Sequence, residues 1–154
     1  MQMGMATIFQ NPENQLSDGE VYRNELRLAN LAEPLGFDSI WGVEHHFTDY
    51  TMCPDVLQFL TYMAGRTKKI QLGSMVVVLP WHDPVRVAEE ISMLDHISEG
   101  RLILGMGRGA GRVEFEEREA VRGQRCDDRR AVRKQRERDL LRDAVKRDAQ
   151  SRAA

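Results

Sequence analysis

The chain has 154 residues and a formal net charge of −2, and 42% of its residues are hydrophobic, a composition that suits a globular domain and argues against an intrinsically disordered chain. Its two cysteines, Cys53 and Cys126, fit neither a disulfide framework nor a CxxC metal clip. No secretory leader and no apolar run long enough to span a membrane occurs, so we expect a cytoplasmic protein.

The first predicted unit is a strand followed by a helix. The apolar and β-branched run 6–9 predicts the strand, and a polar, turn-forming segment follows it. Ser17 or Asp18 then caps a helix whose apolar residues recur at a spacing of three to four until Gly36. Pro34 is expected to bend the last turn of this helix.

The second unit repeats the pattern. The run 39–43 predicts a buried strand, and it ends in the polar cluster formed by Glu44, His45 and His46. After a loop, Asp55 is expected to cap a helix that extends through Arg66. These three side chains, which can exchange protons or bind ligands, therefore lie directly after the end of the second strand.

Two further strands enclose a third helix. Residues 70–79 predict a strand rich in valine, and Asp83 and Pro84 have the form of an N-cap followed by proline at the first helical position. The helix runs to His96, and a fourth strand covers 102–106. This alternation predicts parallel strands with right-handed crossovers, which both a half barrel and a doubly wound sheet satisfy.

The end of the chain has a different composition. Residues 1–115 carry nine basic and fifteen acidic residues, whereas residues 116–154 carry thirteen basic residues, eleven of them arginine, and nine acidic ones. Apolar periodicity fails in the second part. We therefore predict one domain over 1–115 and an Arg-rich tail over 116–154 that is a solvated helix or disordered.

The cluster of Glu44, His45 and His46 is the first candidate site. Ligands of parallel α/β folds bind at the carboxyl ends of the strands, where this cluster is predicted. The three side chains suit a general base with an orienting acid, a metal site, or a pair of structural histidines. Adjacent histidines point in different directions and no second ligand cluster has a familiar spacing, so a metal is the weaker functional reading.

The remaining candidates are less specific. His82 lies far along the chain and is read with Asp83 as part of a helix cap, while His96 suits the end of that helix. The glycine-rich stretch 105–111 contains Arg108, whose guanidinium suits a phosphate, although such stretches are more often plain turns. Trp41 and Trp81 are read as packing residues.

Several motifs in order resemble one family, the luciferase-like flavin-dependent monooxygenases. The motifs are Gly36-Phe37-Asp38-Ser39-Ile40-Trp41, Glu44-His45-His46-Phe47-Thr48, Gly73 through Leu79-Pro80, His82-Asp83-Pro84-Val85-Arg86-Val87-Ala88-Glu89, and Leu94-Asp95 through Gly100-Arg101-Leu102 to Gly107-Arg108-Gly109. The likeness extends over most of residues 6–115. It implies a partial (β/α)8 TIM barrel with at most the first four βα units, because a whole barrel needs about 250 residues.

The resemblance also implies a function. A member of this family binds reduced FMN supplied by a separate flavin reductase and uses molecular oxygen on a small organic substrate; deazaflavin F420 is the less favoured cofactor. By position, His45 matches the catalytic histidine, and Glu44 lines the isoalloxazine site. Met75 and Val76 fall where some members have a non-proline cis peptide under the ring, and Arg108 matches a phosphate-binding arginine.

The chain departs from the family after residue 115. Strands five to eight are missing, and an Arg-heavy tail of low apolar content is typical of a truncated chain or a shifted reading frame. The alternative is therefore a non-catalytic, truncated product that self-associates or pairs with a full-length relative, and we expect a homo- or hetero-oligomer in either case. Nucleic-acid binding by the basic tail ranks last, because acidic residues interrupt the tail and it lacks aromatic residues.

Overall fold

The computed structural model describes residues 1–48 and 50–109; the predicted tail, the boundary at residue 115 and Cys126 lie outside this part of the chain. Strands and helices alternate, as predicted. No helix of the described part is long and apolar enough to cross a membrane. The elements are β1 (Gly4–Thr7), α1 (Asp18–Ala29), β2 (Ser39–Gly42), α2 (Val56–Arg66), β3 (Gln71–Ser74), β4 (Val77–Val78), α3 (Pro84–Ile97), β5 (Leu102–Ile103) and β6 (Met106–Gly107).

The strands form a parallel sheet. Its order is β1-β2-β3-β5, and a second, two-stranded parallel pair joins β4 to β6. Ile40 stands opposite Met5 on one side and Leu72 on the other, and Leu72 is in turn paired with Leu102. This arrangement is the α/β class predicted from the sequence, and the strand order follows that of successive βα units in a barrel.

The hydrophobic core lies between one face of the sheet and the helices. Ile40 and Leu72 from the strands, and Leu60, Met63 and Leu94 from the helices, have no exposed surface. The fully buried strand residues share one face because side chains alternate along a strand. The sheet is therefore anchored to its helical layer through this row of apolar side chains.

The three helices begin where the sequence predicted. Ser17 and Glu20 form a capping box at α1, and the Asp55 side chain accepts from the Gln58 amide at α2. The Asp83 side chain accepts from two amides at α3, whose first residue is proline. These caps satisfy amide groups that have no partner within the helix.

The end of α1 was predicted too late. The helix ends at Ala29, and the Leu31 and Ala32 amides donate to carbonyls three residues back rather than four. The segment reaches Gly36 through further turns, in which the Leu35 amide donates to the Leu31 carbonyl and the Gly36 amide to that of Glu33. Gly36 has φ +83°, which favours glycine. Proline at position 34 lacks the amide that would continue the helix.

Three strand boundaries also differ from the prediction. The first strand, predicted over 6–9, lies at Gly4–Thr7, where it pairs with Ser39–Gly42. It does not extend to Phe9, whose φ is positive. The predicted strand 70–79 is divided into β3 and β4, and residues 79–81 form a 3₁₀ turn. Between the two pieces the backbone changes partner: the Met75 amide donates to Gly42, whereas the Val77 amide donates to Gly105. The predicted strand 102–106 is divided correspondingly into β5 and β6.

At the amino ends of the strands, two charged side chains hold the backbone. The buried Arg101 guanidinium donates to the carbonyls of Ser98, Ile70, Ala64 and Thr67 at 2.7–3.2 Å and to the Thr67 hydroxyl. The Glu33 carboxylate accepts from three consecutive amides at 68–70. This end of the sheet is built for stability, because both charges are used by main-chain groups.

Replacing Arg101 by leucine should lower the free energy of unfolding by about 3 kcal/mol, because buried carbonyl groups would lose charged donors. Urea denaturation followed by circular dichroism measures this change. The matched control is Arg86→Leu on α3, whose side chain is 71% exposed in an ion pair with Glu89; its effect should stay within about 0.5 kcal/mol. Equal effects of the two substitutions would contradict the role assigned to Arg101.

Candidate functional site

Candidate site residues meet at the carboxyl ends of the strands. Glu44 follows β2 by two residues, the segment 75–76 joins β3 to β4, and Arg108 directly follows β6. The pairing of Val78 with Gly107 places Arg108 beside the end of β4. Loops and strand ends at this edge are the usual ligand-binding face of a parallel α/β fold.

Glu44 is the buried centre of this edge. Its side chain has no exposed surface. One carboxylate oxygen, Oε1, accepts from His82 Nε2 at 2.8 Å, His46 Nε2 at 3.1 Å and the Val78 amide at 3.2 Å. The other oxygen, Oε2, is buried and has no hydrogen-bond partner in the described part of the chain.

The pair of Glu44 and His82 shifts both ionisations toward the charged forms. Burial alone raises the pKa of Glu44, but hydrogen bonds from His46 and His82 outweigh it and hold that pKa below its ordinary value. The hydrogen bond to Glu44 raises the pKa of His82 despite the opposing effect of burial. A charge-assisted hydrogen bond therefore joins two residues that lie 38 positions apart.

His45 lies in the loop after β2 and is half-buried. Its amide donates to the Cys53 carbonyl at 3.1 Å, and its ring meets the Tyr50 ring edge to face at 5.4 Å. His45 lines an open cavity of about 310 Å³. The other lining residues are Asp18, Tyr22, His46, Phe47, Thr48, Thr51, Met52 and Pro54.

The second histidine of the motif is part of an aromatic stack. The His46 ring stacks on the Trp81 ring with a centroid distance of 4.2 Å and an interplanar angle of 22°. The Phe47 ring contacts the same tryptophan at a centroid distance of 5.7 Å. Trp81 was predicted to pack and does so on His46. Trp41 packs on the sheet itself, across Gly4 and Gly73.

The peptide bond between Met75 and Val76 is cis, at the position where the resemblance implied one. Met75 is 45% exposed, and its side chain offers an apolar surface at the strand ends. A Cβ atom at Gly105 would lie 2.4 Å from the Ser74 carbonyl oxygen, and one at Gly107 would lie 2.8 Å from the Val76 side chain. Glycine at both positions therefore lets the two backbone segments approach closely.

His82 is the site residue that the sequence reasoning missed. Asp83 caps α3, as predicted, but His82 turns away to Glu44. No cluster of three or more metal-ligating side chains occurs within residues 1–48 and 50–109. Burial raises the pKa of the Cys53 thiol to about 12, which removes it as a nucleophile near neutral pH.

The sequence profile described as luciferase-like monooxygenase matches residues 1–145. The match extends beyond the boundary that composition predicted at residue 115. The chain is 37% identical over 101 residues to the alkanal monooxygenase alpha chain of Photorhabdus laumondii, covering 66% of this chain and 28% of that protein. It is 32% identical over 116 residues to the oxygenase component of a flavin-dependent trigonelline monooxygenase of Acinetobacter baylyi, covering 75% and 32%.

Solved structures of flavin- and F420-dependent enzymes also match the chain. The oxygenating constituent of 3,6-diketocamphane monooxygenase from Pseudomonas putida, a complex with FMN, matches with a TM-score of 0.70 and 26% identity over 77% of this chain and 32% of that one. The F420-dependent tetrahydromethanopterin reductase of Methanopyrus kandleri matches with a TM-score of 0.50 and 26% identity over 76% and 29%. The chain spans about a third or less of each of these proteins.

Replacing Glu44 by glutamine should lower the pKa of His82, because the carboxylate that stabilises the imidazolium is removed while burial continues to oppose it. Titration of the histidine ring protons by NMR measures the change. His96, at the other end of α3, provides the internal control, and the chemical shifts of its ring protons should be unchanged by the substitution. An unmoved His82 midpoint would show that Glu44 does not hold the proton there.

The same pair should make stability depend on pH. The contribution of His82 is complete below its unfolded value of 6.5 and is lost as pH rises through its raised folded pKa. The contribution of Glu44 is complete above its unfolded value of 4.5 and is lost as pH falls through its lowered folded pKa. The stability difference between wild type and Glu44→Gln should therefore be greatest between about pH 4.5 and 6.5 in urea denaturation; a flat difference across this range would contradict the coupling.

Proposed function

The chain belongs to the family of luciferase-like monooxygenases, and we propose that it carries part of the reduced-flavin site of an enzyme that oxygenates a small organic substrate with molecular oxygen. The observation that carries the proposal is a convergence. His45, the cis peptide at 75–76 and Arg108 are far apart in the sequence and come to the same end of the sheet. Relatives named for flavin-dependent oxygenation support it.

The residues present fit a flavin mononucleotide. A flat apolar ring needs an apolar surface, which Met75 and Val76 offer at the strand ends, and a phosphate needs donors, which the exposed guanidinium of Arg108 offers beside β4. Reduced flavin, when bound, supplies the electrons that activate oxygen. In this proposal Arg108 holds the phosphate, and residues 75–76 support the ring.

His45 is proposed to hold or move a proton beside the ring. Its imidazole lies in the loop after β2 and lines the open cavity of about 310 Å³, and histidine is a common general acid or base in enzymes. The aromatic and aliphatic side chains of that cavity suit a small organic substrate with a largely apolar body. A separate flavin reductase is the proposed partner, because one relative is named as an oxygenase component.

FMN is proposed ahead of F420. A neighbour in complex with FMN has the higher TM-score, 0.70 against 0.50 for the F420-dependent neighbour of equal identity. Tighter binding of F420 than of FMN in parallel titrations would reverse the choice of cofactor.

The proposed domain division follows the composition of the chain. Residues 1–115 form the domain that carries the flavin-facing strands, and residues 116–154 form a tail that is not part of it.

A second candidate function is a non-catalytic chain that self-associates or pairs with a longer relative. The inner face of the sheet, which is the face that carries Trp41, favours it, because Ile103 on that face is 38% exposed. Sedimentation of the chain without and with reduced FMN distinguishes the candidates. A stable oligomer that binds no flavin would favour the second.

Anaerobic titration with reduced FMN tests the site. Wild type should bind saturably, Arg108→Ala should bind roughly tenfold to a hundredfold more weakly because a charged hydrogen bond to phosphate is lost, and His45→Ala should change affinity far less. With a reductase present, His45→Ala should reduce turnover by about a hundredfold or more.

The control in this experiment is Arg86→Ala, which removes an exposed arginine of α3 and should bind as wild type does. Equal affinity of wild type and Arg108→Ala would overturn the phosphate assignment. A folded wild-type chain that binds neither flavin would overturn the proposed function.

A further inference from the structure

The buried carboxylate of Glu44 joins two walls of the proposed site. One wall is the loop after β2, defined here as residues 43–48, and the other is the segment 75–82. Glu44 belongs to the first wall, while Val78 and His82, which donate to its Oε1, belong to the second. His46, which belongs to the first wall, donates to the same oxygen through its Nε2.

The charge of this carboxylate depends on few donors. A carboxylate without exposed surface is destabilising unless hydrogen bonds and opposite charge compensate it. Within the described residues all of its hydrogen bonds are at Oε1, since Oε2 has none. His82 makes the shortest of them, at 2.8 Å, and is the donor whose pKa rises in response.

His82 is itself held by a rigid element. The next residue, Asp83, caps α3 through the amides of Val85 and Arg86, and proline occupies the first helical position. α3 is anchored in the core by Val87 and Leu94. The backbone of His82 is therefore fixed by α3, and its imidazole holds Glu44, which follows β2, in place.

We propose that His82 is a positioning residue of the flavin site: by donating to the buried Glu44 carboxylate it fixes the segment 75–82 against the loop that carries His45. This inference rests on the proposed function. It assigns Glu44 an indirect role, because its oxygens have no exposed surface to offer a ring. The stacking of Trp81 on His46 is a second connection between the same two walls.

If His82 has this role, the affinity for reduced FMN should depend on its hydrogen bond to Glu44 and not on the aromatic ring itself. His82→Phe keeps an aromatic ring but cannot donate, so the affinity for reduced FMN should fall at least about tenfold as the two walls lose their register. His82→Gln keeps a neutral donor and should bind within about threefold of wild type. His96→Gln, at the exposed end of the same helix, is the matched control and should bind as wild type does.

Hydrogen exchange of the Val78 amide gives a readout that needs no flavin. This amide donates to Glu44, so its exchange should accelerate at least about tenfold in His82→Phe and much less in His82→Gln. If wild type binds flavin and His82→Phe changes neither affinity nor exchange, the positioning role is wrong and the proposed function stands. If wild type binds no flavin, the proposed function fails, and faster exchange in His82→Phe would still support the link between the walls.

A third variant covers the case in which His82→Phe does not fold. His82→Asn keeps a neutral amide donor, but its side chain is one carbon shorter than that of glutamine and should not reach the Glu44 carboxylate. Its affinity for reduced FMN should therefore fall at least about tenfold below that of His82→Gln. Equal affinity of these two polar variants would overturn the proposal.

Discussion

The ionised carboxylate of Glu44 holds the loop after β2 and the segment 75–82 together at the carboxyl end of the sheet. Removing a charge from water costs several kcal/mol, and only well-placed donors offset that cost. Three donors from three places in the chain supply the compensation: the amide of Val78, the imidazole of His82 and that of His46. The loop after β2 and the segment 75–82 are consequently joined at one oxygen atom, Oε1 of Glu44, whose side chain has no exposed surface.

The two ends of the sheet use buried charge differently. At the amino ends, Arg101 and Glu33 are saturated by main-chain carbonyls and amides, which leaves them no capacity for a ligand. At the carboxyl ends, the charge of Glu44 is stabilised by hydrogen bonds from two imidazoles, those of His46 and His82. Such a division is typical of parallel barrels, in which one face provides stability and the other provides chemistry.

Local features of the sequence predicted local structure well. Asp55 and Asp83 cap α2 and α3 as expected, because an N-cap is decided by neighbouring amides. The run of valines at 76–78 concealed the division between β3 and β4, because that division depends on which carbonyl each amide meets across the sheet. His82 escaped prediction for a similar reason: its partner lies 38 residues away, and its neighbour Asp83 offered a sufficient local explanation.

The face of the sheet turned away from the helices, its inner face, restricts which residues the strands can carry. Trp41 lies flat across it, and a Cβ at Gly73 would come within 2.3 Å of the indole, so that glycine is required by the ring above it. A single indole covers part of the face and leaves Ile103 exposed beside it. In a closed barrel the opposite strands fill this space with interlocking side chains. The helical face of these four strands is a core, whereas on the inner face of the described strands Trp41 packs on Gly4 and Gly73 while Ile103 stays exposed.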